Sequence, residues 1–341
     1  MTILWCGGEE VDFPNNKNAG IANETTVGLY RSNFSRGALN ITTQDSVSPG
    51  ESNSFPGGAI TSGWFSAQWI IDLATTSANG KKWGLKKSGT LGGLFVGLSA
   101  TNKLAVFKRD SDGTQTTVIS ETGTTTLADV LYHVVVQFTG FDTATGTIKV
   151  WRSGTLLIDS PTSNPSGLDL SVTGLTELDR FTMIGGGTGT SEWWISECIV
   201  ADEDIRLASL KTLAPNAAGD SNTFTSGSYT EIDEVSLDTQ DVINSTVAGQ
   251  EFTCNLTGMP TGQFVVRAVK TAFYAARGTS GIDALATGVR TSSTNHFDTM
   301  AIVDTGYELR ERMLNTNPVT SGSWTTDEID ALQLICETDD L

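Results

Sequence analysis

The chain has 341 residues, 36 of them Gly, and carries 39 Asp and Glu against 21 Lys and Arg, a formal net charge of −18 at pH 7. Such an acidic surface repels phosphate backbones, and the sequence has no basic stripe with interleaved aromatic residues, so we expect no nucleic-acid partner. The N-terminus has neither a basic segment nor an apolar run long enough for export or membrane insertion, which predicts no membrane insertion.

Short apolar alternations bounded by Gly, Asn, Asp and Ser predict β-strands through the first part of the chain. In residues 64–72, Phe65, Ala67, Trp69 and Ile71 fall on one face, which is typical of a strand in a sheet core. The other strands predicted in this part are 3–6, 37–42, 92–98, 103–109, 116–120, 178–184 and 192–200.

Basic residues cluster around one tryptophan. Lys81, Lys82, Lys86 and Lys87 flank Trp83. A Trp beside Lys can contact sugars or phosphates, but lysines also protect the edge of a hairpin from pairing with another chain. We favour the second interpretation, an exposed hairpin edge.

Residues 132–159 predict an antiparallel meander of three strands, 132–138, 148–152 and 155–159. A Tyr-His strand, a short turn, a strand ending in an aromatic residue and a Gly turn resemble the concanavalin-like, laminin-G-type jelly roll over residues 5–201. The resemblance implies a β-sandwich, and because lectins, glycosidases and inert spacers share that fold, it implies architecture and no particular activity.

The four cysteines show no CxxC pair: Cys6, Cys198, Cys254 and Cys336. We interpret them as reduced, packed thiols, while a disulfide between Cys6 and Cys198 stays open. No metal site is predicted, because Asp110, Asp112 and Asp142 lack the spacing of a calcium loop and suit turns instead.

A small-residue segment divides the chain into residues 1–205, a linker at 206–222 that follows a short helical turn, and a β-rich domain at 223–341. One helix is predicted near the end of the chain, where Thr325 and Glu328 form a capping box and Ile329, Leu332 and Cys336 share a face. We expect Trp324 to pack against this helix and hold it in position. The strands predicted in this domain are 231–237, 249–256, 263–275, 284–291 and 296–304, and 263–275 is expected to be an inner strand.

Four stretches from residue 195 onwards resemble a recurring kind of tailed-bacteriophage virion protein, in which a laminin-G-like jelly roll is joined by Ala-Pro-Asn-Ala-Ala-Gly-Asp to a β-rich domain. They are ISECIVADEDIRLASLKTLAPNAAGDSNTFTSG, EIDEV, FVVRAVKTAFYAARG and LNTNPVTSGSWTTDEIDALQ. The resemblance implies a structural component of the particle, such as a fibre, decoration or connector on tail, neck or head. It implies assembly in the host cytoplasm, other virion proteins as partners, and no catalytic residues or cofactor.

Motifs for catalysis are missing from the sequence. There is no Glu-x-Asp-x-Glu strand of the laminarinase type and no Gly-x-Ser-x-Gly elbow. With only His133 and His296, neither a multi-histidine zinc site nor a triad is indicated. We therefore expect that the chain is not an enzyme, and a glycoside hydrolase is the least favoured alternative.

The main alternative to a purely structural role is an adhesin that binds a host surface glycan. Jelly rolls bind sugars through exposed aromatic rings and through carboxylates and carboxamides on loops. The candidate contacts are Trp83, Trp151, Trp194, Asp142 and Asn79. Packing in a core or a subunit interface is the competing role for each Trp. Self-association through sheet edges would make the chain a homo-oligomer.

Overall fold

The computed structural model describes residues 2–7, 12, 21–24, 38–41, 50–71, 82–123, 130–184, 193–234, 238, 240–278, 282–301 and 305–339. The chain divides into two compact units, Met1–Leu210 and Lys211–Leu341. Both are built almost entirely from antiparallel strands, which confirms the predicted all-β fold class. Within the described ranges, none of the helices has the length and hydropathy to cross a membrane.

The described residues of the first unit form fourteen strands and one short helix. They are β1 Ile3–Gly7, β2 Ile21–Glu24, β3 Ala38–Ile41, β4 Gly50–Glu51, β5 Gly63–Ile71, β6 Lys82–Lys86, β7 Gly93–Leu98, β8 Leu104–Arg109, β9 Gln115–Ser120, β10 Tyr132–Thr139, β11 Thr147–Arg152, β12 Thr155–Asp159, α1 Ser160–Ser163, β13 Arg180–Ile184 and β14 Trp193–Ala201.

Two sheets form this unit. One has eight strands in the order β12-β11-β10-β5-β14-β3-β2, with β1 also paired to β14, and the other has six in the order β4-β13-β6-β7-β8-β9. The predicted meander is β10-β11-β12, and β5 pairs with β10 over seven residues from Trp69–Tyr132 to Gly63–Phe138. The inward faces of the two sheets share one large apolar core, so the unit is a β-sandwich.

Residues 82–86 are an inner strand, and the predicted hairpin edge is wrong. β6 lies between β13 and β7, and all five of its residues are buried. Lys86 donates to Glu51 at 2.5 Å, and Lys82 lies 4.7 Å from the Phe107 ring centre. Burial, reinforced by Arg109, lowers the pKa of Lys82 to about 8. Lys81 lies outside the described residues.

All four cysteines are buried, and the structure contains them as thiols outside any disulfide. Cys6 pairs with Ile199, whereas Cys198 pairs with Gly7. Because neighbouring positions along a strand point to opposite faces, Cys6 and Cys198 are not placed for a disulfide.

In the described part of the second unit there are seven strands, one α-helix and a 3₁₀ turn. They are β15 Pro215–Asn222, the 3₁₀ turn Tyr229–Glu231, β16 Glu251–Leu256, β17 Val269–Ala275, β18 Ala284–Thr291, β19 Thr294–Ala301, β20 Glu308–Leu314, α2 Thr326–Asp330 and β21 Gln333–Asp339. Five strands form a sheet in the order β15-β16-β21-β18-β19, and β17 pairs with β20 in a second sheet.

The linker prediction is wrong for residues 215–222, which form β15 at the edge of the five-stranded sheet. The strand is held by hydrogen bonds to its neighbour β16. Ser221 donates its N–H to the Thr253 hydroxyl at 2.8 Å, and Asn255 donates to Ala218 O at 2.7 Å. A small-residue sequence thus becomes a strand because its partner supplies the bonds. The predicted helical turn is also missing, since residues 202–214 form neither helix nor strand.

Two other predictions for this unit need correction. The capping box of Thr325 and Glu328 is present, but the helix ends at Asp330 because the chain turns into β21, which contains Cys336. Trp324 does pack against Ile329 and Leu332. The strand predicted at 263–275 begins only at Val269, and before it Val265 is 69% exposed, so it is not an inner strand there.

The fold contains two hairpin turns of the same type with different residues. Ser153-Gly154 joins β11 to β12 and Ser292-Ser293 joins β18 to β19, and all four residues have positive φ. Such two-residue turns favour Gly at the second position, because a side chain there is strained.

We expect Ser293→Gly to stabilise the second unit by about 0.5–1 kcal/mol, since relief of the left-handed backbone exceeds the added flexibility of the unfolded chain. Gly154→Ser is the matched control and should destabilise the first unit by a similar amount. Urea unfolding of the full chain, followed by circular dichroism, measures both. A lower midpoint for Ser293→Gly would contradict this account of the turn.

Candidate functional site

A polar cleft of about 280 Å³ opens at the rim of the first unit. One wall is β9, the edge strand of the six-stranded sheet, and the other is the loop that follows α1. Lys108 of β8 lies between them. The lining residues are Lys108, Thr116, Thr117, Val118, Asn164, Gly167, Leu168 and Asp169.

The loop wall is fixed by backbone hydrogen bonds. Leu168 donates its N–H to Gly146 O at 2.7 Å, and Asn164 donates to Ser160 O at 2.7 Å. Gly167 has a φ of +85°, and a Cβ there would lie 2.7 Å from the backbone of Thr145. Only glycine allows so close an approach, so this position holds the loop against its neighbour.

A charged pair lies in the cleft. Lys108 Nζ is 2.9 Å from Asp169 Oδ2 and also donates to Ser171 O at 2.9 Å. Asp169 Oδ1 accepts the N–H of Ser171 at 3.0 Å and the Ser171 hydroxyl. The hydroxyl of Ser171, followed by Lys108, lowers the pKa of Asp169 to about 2. The pair is therefore ionised and internally neutral at physiological pH.

The rest of the lining is a mixture of hydrogen-bonding and apolar groups. Thr116 and Thr117 are exposed on the edge strand, and Asn164 is exposed on the loop. The Asn164 carboxamide makes no hydrogen bond within the described part of the chain, whereas its backbone holds the loop. The cleft can therefore donate to and accept from a hydroxyl-rich ligand.

Trp83 does not reach the surface, so its predicted role as a glycan contact is wrong. Its side chain is fully buried, stacks on Phe181 at 5.8 Å and meets Phe65 edge-on at 5.6 Å. Because all of β6 is buried, the alternation of this short strand gave no sign of which face Trp83 would take.

Trp151 lies on the outer face of the eight-stranded sheet, the face directed away from the sandwich core. It stacks on Trp64 at 5.3 Å, and the Arg206 guanidinium lies 5.1 Å from its ring centre. Asp204 holds that guanidinium with bonds of 2.9 and 2.5 Å. Only 6% of Trp151 is exposed, so a sugar could stack on the ring only after Arg206 moved away.

Trp194 shares this outer face but lies far from Trp151. Trp151 pairs with Val135, Val135 with Ser66, and Trp194 with Ile70, which is four residues from Ser66. With strands about 4.8 Å apart and a rise of about 3.3 Å per residue, the two Trp positions are separated by roughly 20 Å. They cannot contact the same sugar ring.

Asp142 lies in the turn next to the cleft loop, and its hydrogen bonds hold that turn in place. Its N–H donates to Leu170 O at 3.1 Å, its φ is +65°, and its carboxylate lies 3.5 Å from the N–H of Val172. Asn79 lies outside the described residues. Of the predicted contacts that the structure describes, Asp142 lies near the cleft and none lines it.

Asn164 and Asp169 were not predicted as site residues, although the sequence contains a signal for them. In residues 168–172, Leu168, Leu170 and Val172 are buried in the core while Asp169 and Ser171 are exposed. This alternation follows an Asn-Pro-Ser-Gly turn, so a rim segment with outward polar side chains could have been inferred.

No protein-family model matches the chain, and no curated protein matches it. Among solved structures, it is similar to an endo-β-1,4-glucuronan lyase from Trichoderma reesei, with a TM-score of 0.40, 14% identity, and coverage of 59% of this chain and 96% of that one. It is also similar to a carbohydrate-binding module from Bacillus subtilis, with a TM-score of 0.35, 10% identity, and coverage of 54% of this chain and 92% of that one. For an alginate lyase from a Chlorella virus, the TM-score is 0.35 and the identity 9%, with coverage of 59% of this chain and 92% of that one.

These comparisons contradict the prediction that the chain is not an enzyme, because lyases are among the structures it matches. That prediction is withdrawn. The lyase activities belong to the proteins named, and at these TM-scores they assign no reaction to this chain.

We expect the carboxyl of Asp169 to titrate at about 2, below its ordinary 3.8, in a carbon-detected NMR titration. Because the pKa is lowered in the folded state, the pair's contribution to stability is present above pH 4 and is lost between about pH 4 and pH 2.

Lys108→Met should raise the pH at the midpoint of the Asp169 titration. Lys103→Met is the matched control, since Lys103 donates to Thr122 O and not to Asp169. A wild-type midpoint near 3.8 would contradict the geometry.

Proposed function

We propose that the chain is a glycan-binding protein whose first unit binds a neutral polysaccharide in the cleft between β9 and residues 164–169. The observation that carries the proposal is the set of polar side-chain groups around this volume: one carboxylate paired with one ammonium, one carboxamide and two threonine hydroxyls. Together they can both accept hydrogen bonds from sugar hydroxyls and donate to them. The cleft, at about 280 Å³, lies near the lower end of the range of small-ligand pockets, which begins at about 300 Å³.

The charge of the cleft favours a neutral sugar over a uronic acid. Lys108 is already neutralised by Asp169 and makes a second bond to Ser171 O. A uronate carboxylate would compete with Asp169 for the same ammonium group. It would also approach a chain with a net charge of −18, which repels anions at long range.

The cleft also has apolar surface to support a ring. Val118 is half-buried on β9 and Leu168 is buried on the loop, and both line the volume. Sugar rings expose C–H groups as well as hydroxyls, and burial of those groups adds about 25 cal/mol per Å². A mixed wall of this kind fits a pyranose better than it fits a small anion.

The setting we propose for this binding is a tailed-phage particle, in which the chain would serve as a fibre, decoration or connector and engage a host surface polysaccharide. The sequence stretches 195–227, 264–278 and 314–333 favour it through their resemblance to virion proteins. Mass spectrometry and immunogold labelling of purified particles test this setting. Absence from the particles would contradict the setting and leave the glycan proposal standing.

We expect an array of neutral and uronate polysaccharides, followed by calorimetry with the best oligosaccharide, to show binding to neutral chains. Asn164→Ala and Asp169→Asn should each weaken binding about tenfold or more, because the first removes a hydrogen-bonding group and the second replaces a charged acceptor by a neutral amide, a change worth about 1.5 kcal/mol in each case.

Asp112→Asn is the matched control. Asp112 is an exposed carboxylate on the β8–β9 turn that accepts the N–H of Thr114 at 2.8 Å and does not line the cleft. Binding that survives both cleft variants but is lost in Trp151→Ala would place the site on the outer face of the eight-stranded sheet and overturn the assignment of the cleft.

A further inference from the structure

The outer face of the eight-stranded sheet carries a stacked pair of tryptophans. Trp64 of β5 and Trp151 of β11 are separated by β10, and their side chains meet above it with ring centres 5.3 Å apart and planes inclined by 20°. Leu156 of β12 pairs with Trp151 across the strands and therefore shares its face. We call Trp64, Trp151 and Leu156 the indole platform.

Polar groups lie beside the platform on the same face. Gln137 of β10 pairs with Trp64 on one side and with Lys149 on the other. Gln137 is half-buried, and the Lys149 ammonium lies 3.6 Å from Asp159 with a third of its side chain exposed. A carboxamide can donate to a sugar hydroxyl and accept from it, and an ammonium group can donate. Apolar rings with a few polar groups beside them are typical of sites for small ligands.

The side chain of Arg206 covers the centre of the platform. Its guanidinium lies 5.1 Å from the Trp151 ring centre and 6.0 Å from that of Trp64. Both tryptophans are almost buried beneath it, whereas Leu156 at the side is 42% exposed. The side chains of Arg206 and its partner Asp204 are 47% and 43% exposed. The covering ion pair is thus at the surface, with the aromatic rings below it.

Arg206 can leave the rings without any unfolding of the chain. Its turn is fixed by the backbone and by burial, since Ala208 donates its N–H to Ile205 O at 2.9 Å and Ile205 is fully buried. The Arg206 side chain therefore only has to rotate, and exposed side chains change rotamer within nanoseconds. An ion pair and a cation–π contact at exposed positions are both weak, so little holds it in place.

We propose that the indole platform is a second binding site for neutral sugar rings and that Arg206, held by Asp204, is an autoinhibitory contact that closes it. The class of ligand rests on the proposed function, but the cleft and the platform share no residue. A ligand that needs the open platform binds more weakly in proportion to the small fraction of molecules in which Arg206 has left the rings. Removal of the Arg206 side chain should therefore strengthen binding at the platform.

The test uses the full chain labelled with 5-fluorotryptophan, so that each of the eight tryptophans gives its own ¹⁹F NMR signal. Trp151→Phe and Trp64→Phe assign the two platform signals by their disappearance. Cellohexaose and maltohexaose, two neutral oligosaccharides that differ in linkage, are titrated as probes. The shift of the platform signals gives the affinity at this site alone.

Arg206→Ala is the decisive variant, because it uncovers the rings and leaves the turn. Arg310→Ala is its matched control, since Arg310 also pairs with an acidic residue two positions earlier, Glu308, but belongs to the second unit. Asp204→Asn keeps the Arg206 side chain and weakens its hold. Because Asp204 and Arg206 are almost half exposed, neither substitution removes a buried side chain.

We expect at least one probe to shift the Trp151 and Trp64 signals in Arg206→Ala, with an affinity at least about fivefold higher than in the wild-type chain. Asp204→Asn should lie between the two, and Arg310→Ala should match the wild type. Unshifted platform signals in Arg206→Ala would overturn the site. Equal affinities at the platform in the wild-type chain and Arg206→Ala would overturn the role of Arg206.

Variants of the cleft separate this inference from the proposed function. Asn164→Ala and Asp169→Asn, each combined with Arg206→Ala, should leave the shift of the Trp151 signal unchanged. A shift that persists while the cleft variants bind like the wild type would contradict the cleft and support the platform. Binding that depends on Asn164 without any shift of Trp151 in Arg206→Ala would support the cleft and overturn the platform.

Discussion

The first unit depends on an aromatic contact between its two sheets. Phe181 lies between Trp5 and Trp83, with ring centres 5.2 and 5.8 Å apart, and Phe65 of the opposite sheet meets Trp83 at 5.6 Å. Each such pair contributes about 0.5–1.5 kcal/mol beyond the burial of its area. Trp83 and Trp69 bury their ring N–H groups without partners among the described residues, so packing outweighs hydrogen bonding at this point.

The packed core of the first unit supports the segment 168–172 at the rim of the cleft, so that polar groups on this segment have fixed positions. In residues 168–172, Leu168 and Leu170 are buried in the core while Asp169 lines the cleft and Ser171 is exposed beside it, so one short segment contributes to both the core and the cleft. Lys108 then joins this segment to β8 through its bonds to Asp169 and Ser171. The arrangement of the cleft is therefore set by the core beneath it, and a ligand would meet groups that are already oriented.

Strands with a clear local alternation could be predicted from the sequence. Features that depend on a partner far along the chain could not. The alternation in β5 and β10 identified both strands, because each strand has one apolar face. The position of β6 between β13 and β7 depends on pairing with residues about one hundred positions away, so Trp83 was expected at an edge. β15 was expected to be a linker for the same reason, since its sequence is polar and its bonds come from β16. Lys108 and Asp169, which are 61 residues apart, could not be paired from sequence pattern.

The acidic composition affects how carboxylates are stabilised in each of the two units. With 39 acidic and 21 basic residues, at least 39 − 21 = 18 carboxylates have no basic partner of their own. Asp112 and Glu328 are stabilised instead by backbone N–H and hydroxyl donors of the same turn, which lower their pKa values. Such a carboxylate stays ionised without a cation from the chain, and Glu328 does so on the wall of a cavity. A carboxylate neutralised by Lys, like Asp169, suits a neutral ligand, whereas one held only by N–H and O–H groups keeps its negative charge and adds to the acidic surface.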